Sequence, residues 1–117
     1  MKHFDIKEFD SPDLPGSASR YMDKKFLDLL DNARSWAKTP FIINSGYRTP
    51  EHNGKIKGSP TSSHMKGLAV DIACDNSLDR FNIIDALLGE GFTRIGVANT
   101  FIHVDIDKSK PDAIWLY

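Results

Sequence analysis

Two short stretches of this chain, LAVDIA at 68–73 and FIHVDID at 101–107, share one restrictive pattern: aliphatic residues at every second position, with small, aromatic or ionisable residues between them. Successive side chains of a strand point to opposite faces of a sheet. In the first stretch Leu68, Val70 and Ile72 therefore share one face, and Ala69, Asp71 and Ala73 the other. In the second, Ile102, Val104 and Ile106 lie opposite Phe101, His103 and Asp105. A carboxylate among branched aliphatics is tolerable only where its own face meets something polar, because an unpaired buried charge is costly. If both strands belong to one sheet and press their aliphatic faces into a common core, Asp71, His103 and Asp105 gather on the opposite face, beside the loop that ends in His64.

The rest of the chain supplies layers for that sheet. From Lys24 to Lys38, Phe26, Leu29, Leu30, Ala33, Trp36 and Ala37 recur at helical spacing, Asp23 can cap the first turn and Pro40 stops the run. A second helix is expected after a Ser77 cap, with Phe81, Ile84, Leu87 and Leu88 facing inward and the GEG at 89–91 ending it. FIIN at 41–44 is a short β-prone run that delivers Arg48, in SGYR, to a loop. FTRIGVA forms a further strand, separated from FIHVDID by the turn-like Asn99, and AIWLY after Pro111 reads as a last strand or edge segment. Trp115 and Tyr117 are candidates for lining a cleft, although packing at a strand end is the simpler role for aromatics. The SPDLPGSAS at 11–19 is a loop following an N-terminal segment that carries Phe4, Ile6 and Phe9. With no internal repeat, the chain is expected to be one domain, 1–117.

Charge narrows the partners. Lys and Arg number 15 against 16 Asp and Glu, a net charge of -1, which gives no electrostatic reason to expect nucleic acid or an anionic membrane. No apolar run approaches the roughly 20 residues of a membrane span. The single cysteine, Cys74, forms no internal disulfide and reads as a small buried residue. MKHFDIKEFDSPD lacks an apolar stretch of signal-peptide length, so the chain is expected to be cytoplasmic as synthesised; it is also expected to be a monomer.

The irregular connection GKIKGSPTSSH closes on His64, and long loops in compact domains tend to be functional. Two imidazoles and a carboxylate on one sheet face make an N,N,O set suited to zinc, with a fourth position left open for water, whereas structural zinc sites are usually closed by four Cys or His. Gly67 and Ala69 would keep the floor of such a site low, and Arg48 could stabilise an oxyanion forming above it. A lone strand histidine is more often a hydrogen-bonded core residue than a ligand, so it is the combination that points to a metal. His52 and His3 read as solvated surface residues, and Lys66 as outward-facing.

SSHMKGLAVDI contains Ser-x-His-x-x-Gly-x-Ala-x-Asp, formed by Ser62, His64, Gly67, Ala69 and Asp71. With SGYR upstream and FIHVD downstream, in that order, the chain resembles the zinc D-Ala-D-Ala carboxypeptidase and dipeptidase family over Pro40 to Tyr117, and especially its small single-domain phage and prophage members. The resemblance implies an α+β fold of the Hedgehog/DD-peptidase type, an antiparallel sheet flanked by helices. It implies zinc held by His64, Asp71 and His103, Arg48 in the transition-state role, Ser62 near the substrate carboxylate or the attacking water, and peptidoglycan stem peptide as substrate. Such a protein would reach the wall by holin-type release or as a virion component. Many members of the family place an acidic base three residues before the last ligand, where this chain has Thr100. Asp105 is the substitute, either as base or as the partner that orients a ligand imidazole. A catalytically inactive metal-binding module that recognises wall peptide or a protein partner is the alternative.

Overall fold

The computed structural model describes all 117 residues. A 3-10 turn at Ile6–Phe9 leads to helices α1, Ser17–Tyr21, and α2, Lys24–Trp36, then to strand β1, Ile43–Ser45. Helix α3, Pro50–Lys55, a second 3-10 turn at Ser63–Lys66, strand β2, Ala69–Ala73, and helix α4, Ser77–Gly89, follow. The chain ends in β3, Arg94–Val97, β4, Phe101–Asp105, and β5, Ala113–Leu116. The five strands form one sheet in the order β1-β2-β4-β3-β5, giving the expected α+β architecture. Pairing is antiparallel from β1 through β3, while β5 joins the edge in parallel with β3.

Alternation sets the core. Val70, Ile72, Ile102 and Val104 are fully buried and meet Phe26, Leu30, Ile83 and Leu87 from the helices. Helix α2 begins where Asp23 Oδ1 accepts from the Phe26 amide at 2.8 Å, as an N-cap should. Its inward stripe is Phe26, Leu27, Leu30 and Ala33, and Trp36, at the last turn, is 76% exposed rather than part of that stripe. Helix α4 differs more from expectation. Asn76, not Ser77, caps it by accepting from the Asp79 amide at 2.9 Å, and the buried residues are Ile83, Ala86 and Leu87. Phe81 and Leu88 are largely exposed. The helix is apolar on two sides, so periodicity alone did not determine which side meets the sheet.

Gly67 ends the second 3-10 turn with φ at +70°, a conformation that glycine adopts without penalty. A Cβ there would lie 1.9 Å from the Tyr21 carbonyl oxygen. The missing side chain therefore admits the backbone linking α1 to α2, not a metal or substrate as the sequence suggested. The Gly67 carbonyl accepts from the Asp23 amide at 3.0 Å across this contact. A similar close approach occurs at Gly46, whose Cβ would meet the Phe9 backbone at 2.6 Å, and the Phe9 carbonyl accepts from the Tyr47 amide at 2.8 Å. The N-terminal segment thus supports the turn that carries Arg48.

Candidate metal centre

Register brings the first two residues of the site together. In the β2–β4 pair Asp71 lies directly across from His103, and Ala69 across from Asp105, and such cross-strand partners have Cβ atoms about 5 Å apart. The third residue arrives from outside the sheet. The Ser62 side chain caps the 3-10 turn by accepting from the His64 amide at 3.2 Å, and the turn presents His64 beside β2. His64, Asp71 and His103 each offer a ligand atom, all within 4.8 Å of one another, and all three residues are buried.

The hydrogen bonds show which atoms face inward. His64 Nδ1 lies 2.8 Å from the Gly46 carbonyl, which can only accept, so Nδ1 carries the proton and Nε2 turns to Asp71 Oδ1 at 3.3 Å. His103 Nε2 lies 2.7 Å from Asp105 Oδ2, and its Nδ1 is 3.0 Å from the same Asp71 Oδ1. With the outer nitrogens donating, two imidazole lone pairs and a carboxylate oxygen converge on one point. Such a set needs a cation between its members, either a proton or a metal ion, and this donor chemistry fits zinc.

The electrostatics agree. Burial works to raise the Asp71 carboxyl, but hydrogen bonds from His103 and His64 outweigh it and hold it well below the usual carboxylate range. Burial likewise works to lower the His103 imidazole, yet its hydrogen bonds to Asp105 and Asp71 leave it above its ordinary value. Arg48 donates from Nη2 to Asp71 Oδ2 at 3.2 Å, from Nε to Ser45 Oγ at 3.0 Å and from Nη1 to Asn53 Oδ1 at 3.4 Å. Its guanidinium is thus fixed beside the donor set on the far oxygen of Asp71. Burial moves Arg48 below its ordinary value, an effect offset in part by the Asp71 charge.

A cleft of about 310 Å³ opens over these residues, and Arg48, Ser62, His64, Asp71, His103 and Asp105 all line it. The sequence-derived candidates are therefore brought together. Thr100 is exposed and stands apart from the cleft lining, its carbonyl accepting from the Cys74 amide at 2.9 Å. Cys74 is buried, as expected, and lies outside the donor set. His3 and His52 also stand outside it; the His3 ring bonds Ser35 Oγ at 2.9 Å on the surface. Lys66 is exposed, as expected, and donates to Asp107 Oδ2 at 3.0 Å.

Sequence reasoning missed three contributors. Arg94 donates from Nε to Asp105 Oδ1 at 2.7 Å, although a strand arginine carries no sequence signal of such a role. Asp107 is buried and accepts from Ser63 Oγ at 2.7 Å, tying the His64 turn to the segment after β4. Lys110 donates to the Thr61 carbonyl and to Ser63 Oγ, both at 2.8 Å, and lines the cleft. Trp115, Tyr117 and Phe101 form its aromatic wall, with Trp115 5.5 Å from the His103 ring. The alternation of AIWLY, which sets Trp115 and Tyr117 opposite Ile114 and Leu116, was the available signal.

A buried N,N,O donor set under an open cleft, with a fixed cation at its side, is the kind of centre found in zinc peptidases. The chain belongs to the Peptidase M15 family, whose model matches residues 4–105. That family is one of zinc D-Ala-D-Ala carboxypeptidases. No curated protein matches the chain.

Proposed function

We propose that this zinc-peptidase family member hydrolyses peptidoglycan stem peptides, at D-Ala-D-Ala or a neighbouring bond, with His64, Asp71 and His103 holding the metal. The observation that carries the reading is the convergence of those three ligand atoms within 4.8 Å beside a half-buried Arg48. Bound zinc would supply Lewis acidity, polarising a carbonyl and acidifying water. The protein's own residues supply the remainder. Gly46 and Asp105 each hold the outer nitrogen of one histidine, so both rings present a lone pair inward. Arg48, held in place by Ser45 and Asn53, faces the region where an oxyanion would develop, and a fixed cation acts there without reorganisation. Ser62 lines the cleft, where it would meet the substrate. Both Asp105 oxygens are occupied, Oδ1 by Arg94 and the Asp107 amide and Oδ2 by His103. This supports the orienting role for Asp105 over that of a base.

No helix is long and apolar enough to cross a membrane. Within this proposal the protein acts as a monomer on wall peptide, after holin-type release or as part of a virion.

One observation favours the non-catalytic alternative. Position 100 is an exposed Thr, and the carboxylates that line the cleft, Asp71 and Asp105, are both engaged. Incubation of the zinc-loaded protein with stem peptides of three, four and five residues, read by mass spectrometry, separates the two readings. Release of D-Ala or a shorter peptide by the native chain, lost in His64→Ala, is the expected result. A protein that retains zinc but cuts none of the peptides is a binding module.

A further inference from the structure

Outside the zinc-facing atoms, one charged side chain makes more contacts to the site than any assigned role requires. The Arg94 side chain is 12% exposed and has three engagements. Its Nε donates to Asp105 Oδ1 at 2.7 Å, its Nη1 donates to the Pro111 carbonyl, and its guanidinium carbon lies 4.8 Å from the centre of the Trp115 ring. Asp105 in turn is 1% exposed and passes the contact on to His103 Nε2 at 2.7 Å. The partners of Arg94 on the far side, Pro111 and Trp115, lie beyond residue 105, where the family match stops.

We propose that Arg94 is a positioning residue that fixes His103 as a metal ligand through Asp105, and that the 111–116 segment supports the metal centre by seating Arg94; this rests on the zinc reading above. The reason is a matter of hydrogen-bond direction. An imidazole with one proton can place it on either nitrogen, and only the form with Nε2–H leaves Nδ1 free to face Asp71 and His64. An anionic, immobile Asp105 selects that form. Its negative charge is buried, so it persists where a cation answers it at close range, and Arg94 does so. Without Arg94 the carboxylate can rotate, and the His103 ring loses the acceptor that fixes its orientation. Stacking on Trp115 and the bond to Pro111 hold the guanidinium in the one pose in which its Nε reaches Asp105. Strand β5 is therefore more than an edge: it supplies the outermost part of a chain of contacts that ends at a ligand nitrogen.

The test measures zinc affinity by competition with a chromophoric chelator, with circular dichroism confirming the fold. Arg94→Leu should bind zinc about tenfold more weakly, the lower end of what loss of an outer partner to a ligand histidine costs. In an Asp105→Asn background the same change should add little, because the two residues act through one contact. In the metal-free protein, at a pH above the folded His103 titration so that the ring carries a single proton, ring ¹⁵N shifts of His103 should show the Nε2–H form in the native chain and a mixture in Arg94→Leu, a change that a merely structural arginine would not produce. Should Arg94→Leu fail to fold, Arg94→Lys keeps the charge without the planar fork and should bind zinc about threefold more weakly. Native zinc affinity in whichever variant folds, or additive losses with Asp105→Asn, overturns the proposal. A native chain that binds no zinc at all overturns this proposal and the zinc-peptidase reading together, whereas native binding with unchanged Arg94 variants overturns this one alone.

Discussion

Gly67→Ala separates the fold from the metal centre, because Gly67 lies between His64 and Asp71 in sequence and its amide donates to the His64 carbonyl at 3.3 Å, yet its Cβ position faces the Tyr21–Met22 backbone rather than either ligand side chain. Three costs can be read from the structure. Alanine at φ +70° carries a left-handed penalty of about 1–2 kcal/mol. The new methyl would stand 1.9 Å from the Tyr21 carbonyl oxygen, so one backbone must retreat by about 1.5 Å to reach ordinary contact. That retreat breaks the hydrogen bond from the Asp23 amide to the Gly67 carbonyl, worth about 1 kcal/mol. It also disturbs the Tyr21 ring stacked on Tyr47 at 4.9 Å, worth about 0.5–1.5 kcal/mol. The total is about 2.5–4.5 kcal/mol, which at about 4 °C per kcal/mol lowers the midpoint of thermal unfolding by about 10–18 °C. Gly16→Ala is the control: φ is +85° but nothing lies within 4 Å of its Cβ, so only the backbone penalty applies, about 4–8 °C. The assay is circular dichroism of the metal-free proteins, followed by zinc competition at a temperature where Gly67→Ala is folded, where affinity should match that of the native chain. Equal midpoints for the two variants, or a Gly67→Ala protein that is stable but binds zinc poorly, would show that the close approach to Tyr21 does not govern this position.

Two further outcomes follow from the site. Arg48→Met should lower kcat about 10²–10³-fold while zinc is retained, as expected for loss of a fixed transition-state donor; a rise in KM with kcat unchanged would move Arg48 to ground-state binding. In the metal-free protein, Asp71 and Asp105 lie below their ordinary 3.8, so the stability they contribute is present above that value and is lost as pH falls through their folded titrations, whereas His103 lies above its ordinary 6.5, so its contribution is full below 6.5 and is lost as pH rises through its folded titration. Urea midpoints should therefore fall on both sides of a weakly acidic optimum, while zinc affinity climbs with pH as the ligands give up protons; a metal-free midpoint that rises between pH 6 and 8 would contradict this.

What could be read from the sequence was what local alternation encodes. Asp71, His103 and Asp105 fell on one face because a strand has a period of two, and Arg48 reached the same cleft because a strand ends just before it. Other features depended on distant parts of the chain. The parallel pairing of β5 with β3 follows from where the 106–112 connection runs. The inward face of α4 is chosen by contact with α2 and the sheet, since Leu78, Phe81, Ile84 and Leu88 form an apolar stripe as plausible as the one that is buried. Gly67 carried a correct signal, the need for an absent side chain, but the neighbour requiring it lies 46 residues earlier at Tyr21. Arg94 gave no signal because an alternating strand accepts a charged residue at its outer end without comment.

The seat of the Gly46–Arg48 turn on the N-terminal segment ties together residues far apart in sequence. The amide of Tyr47 is held by Phe9, the Gly46 carbonyl holds His64 Nδ1, and the Arg48 amide donates to the His64 carbonyl at 3.2 Å. Residues 4–11 therefore cannot peel away while the arginine and the first histidine keep their aim, so the two would open as one cooperative unit. The lifetime of that attachment sets a ceiling on how long the cleft stays poised, and deuterium uptake at the Tyr47 amide would clock it directly.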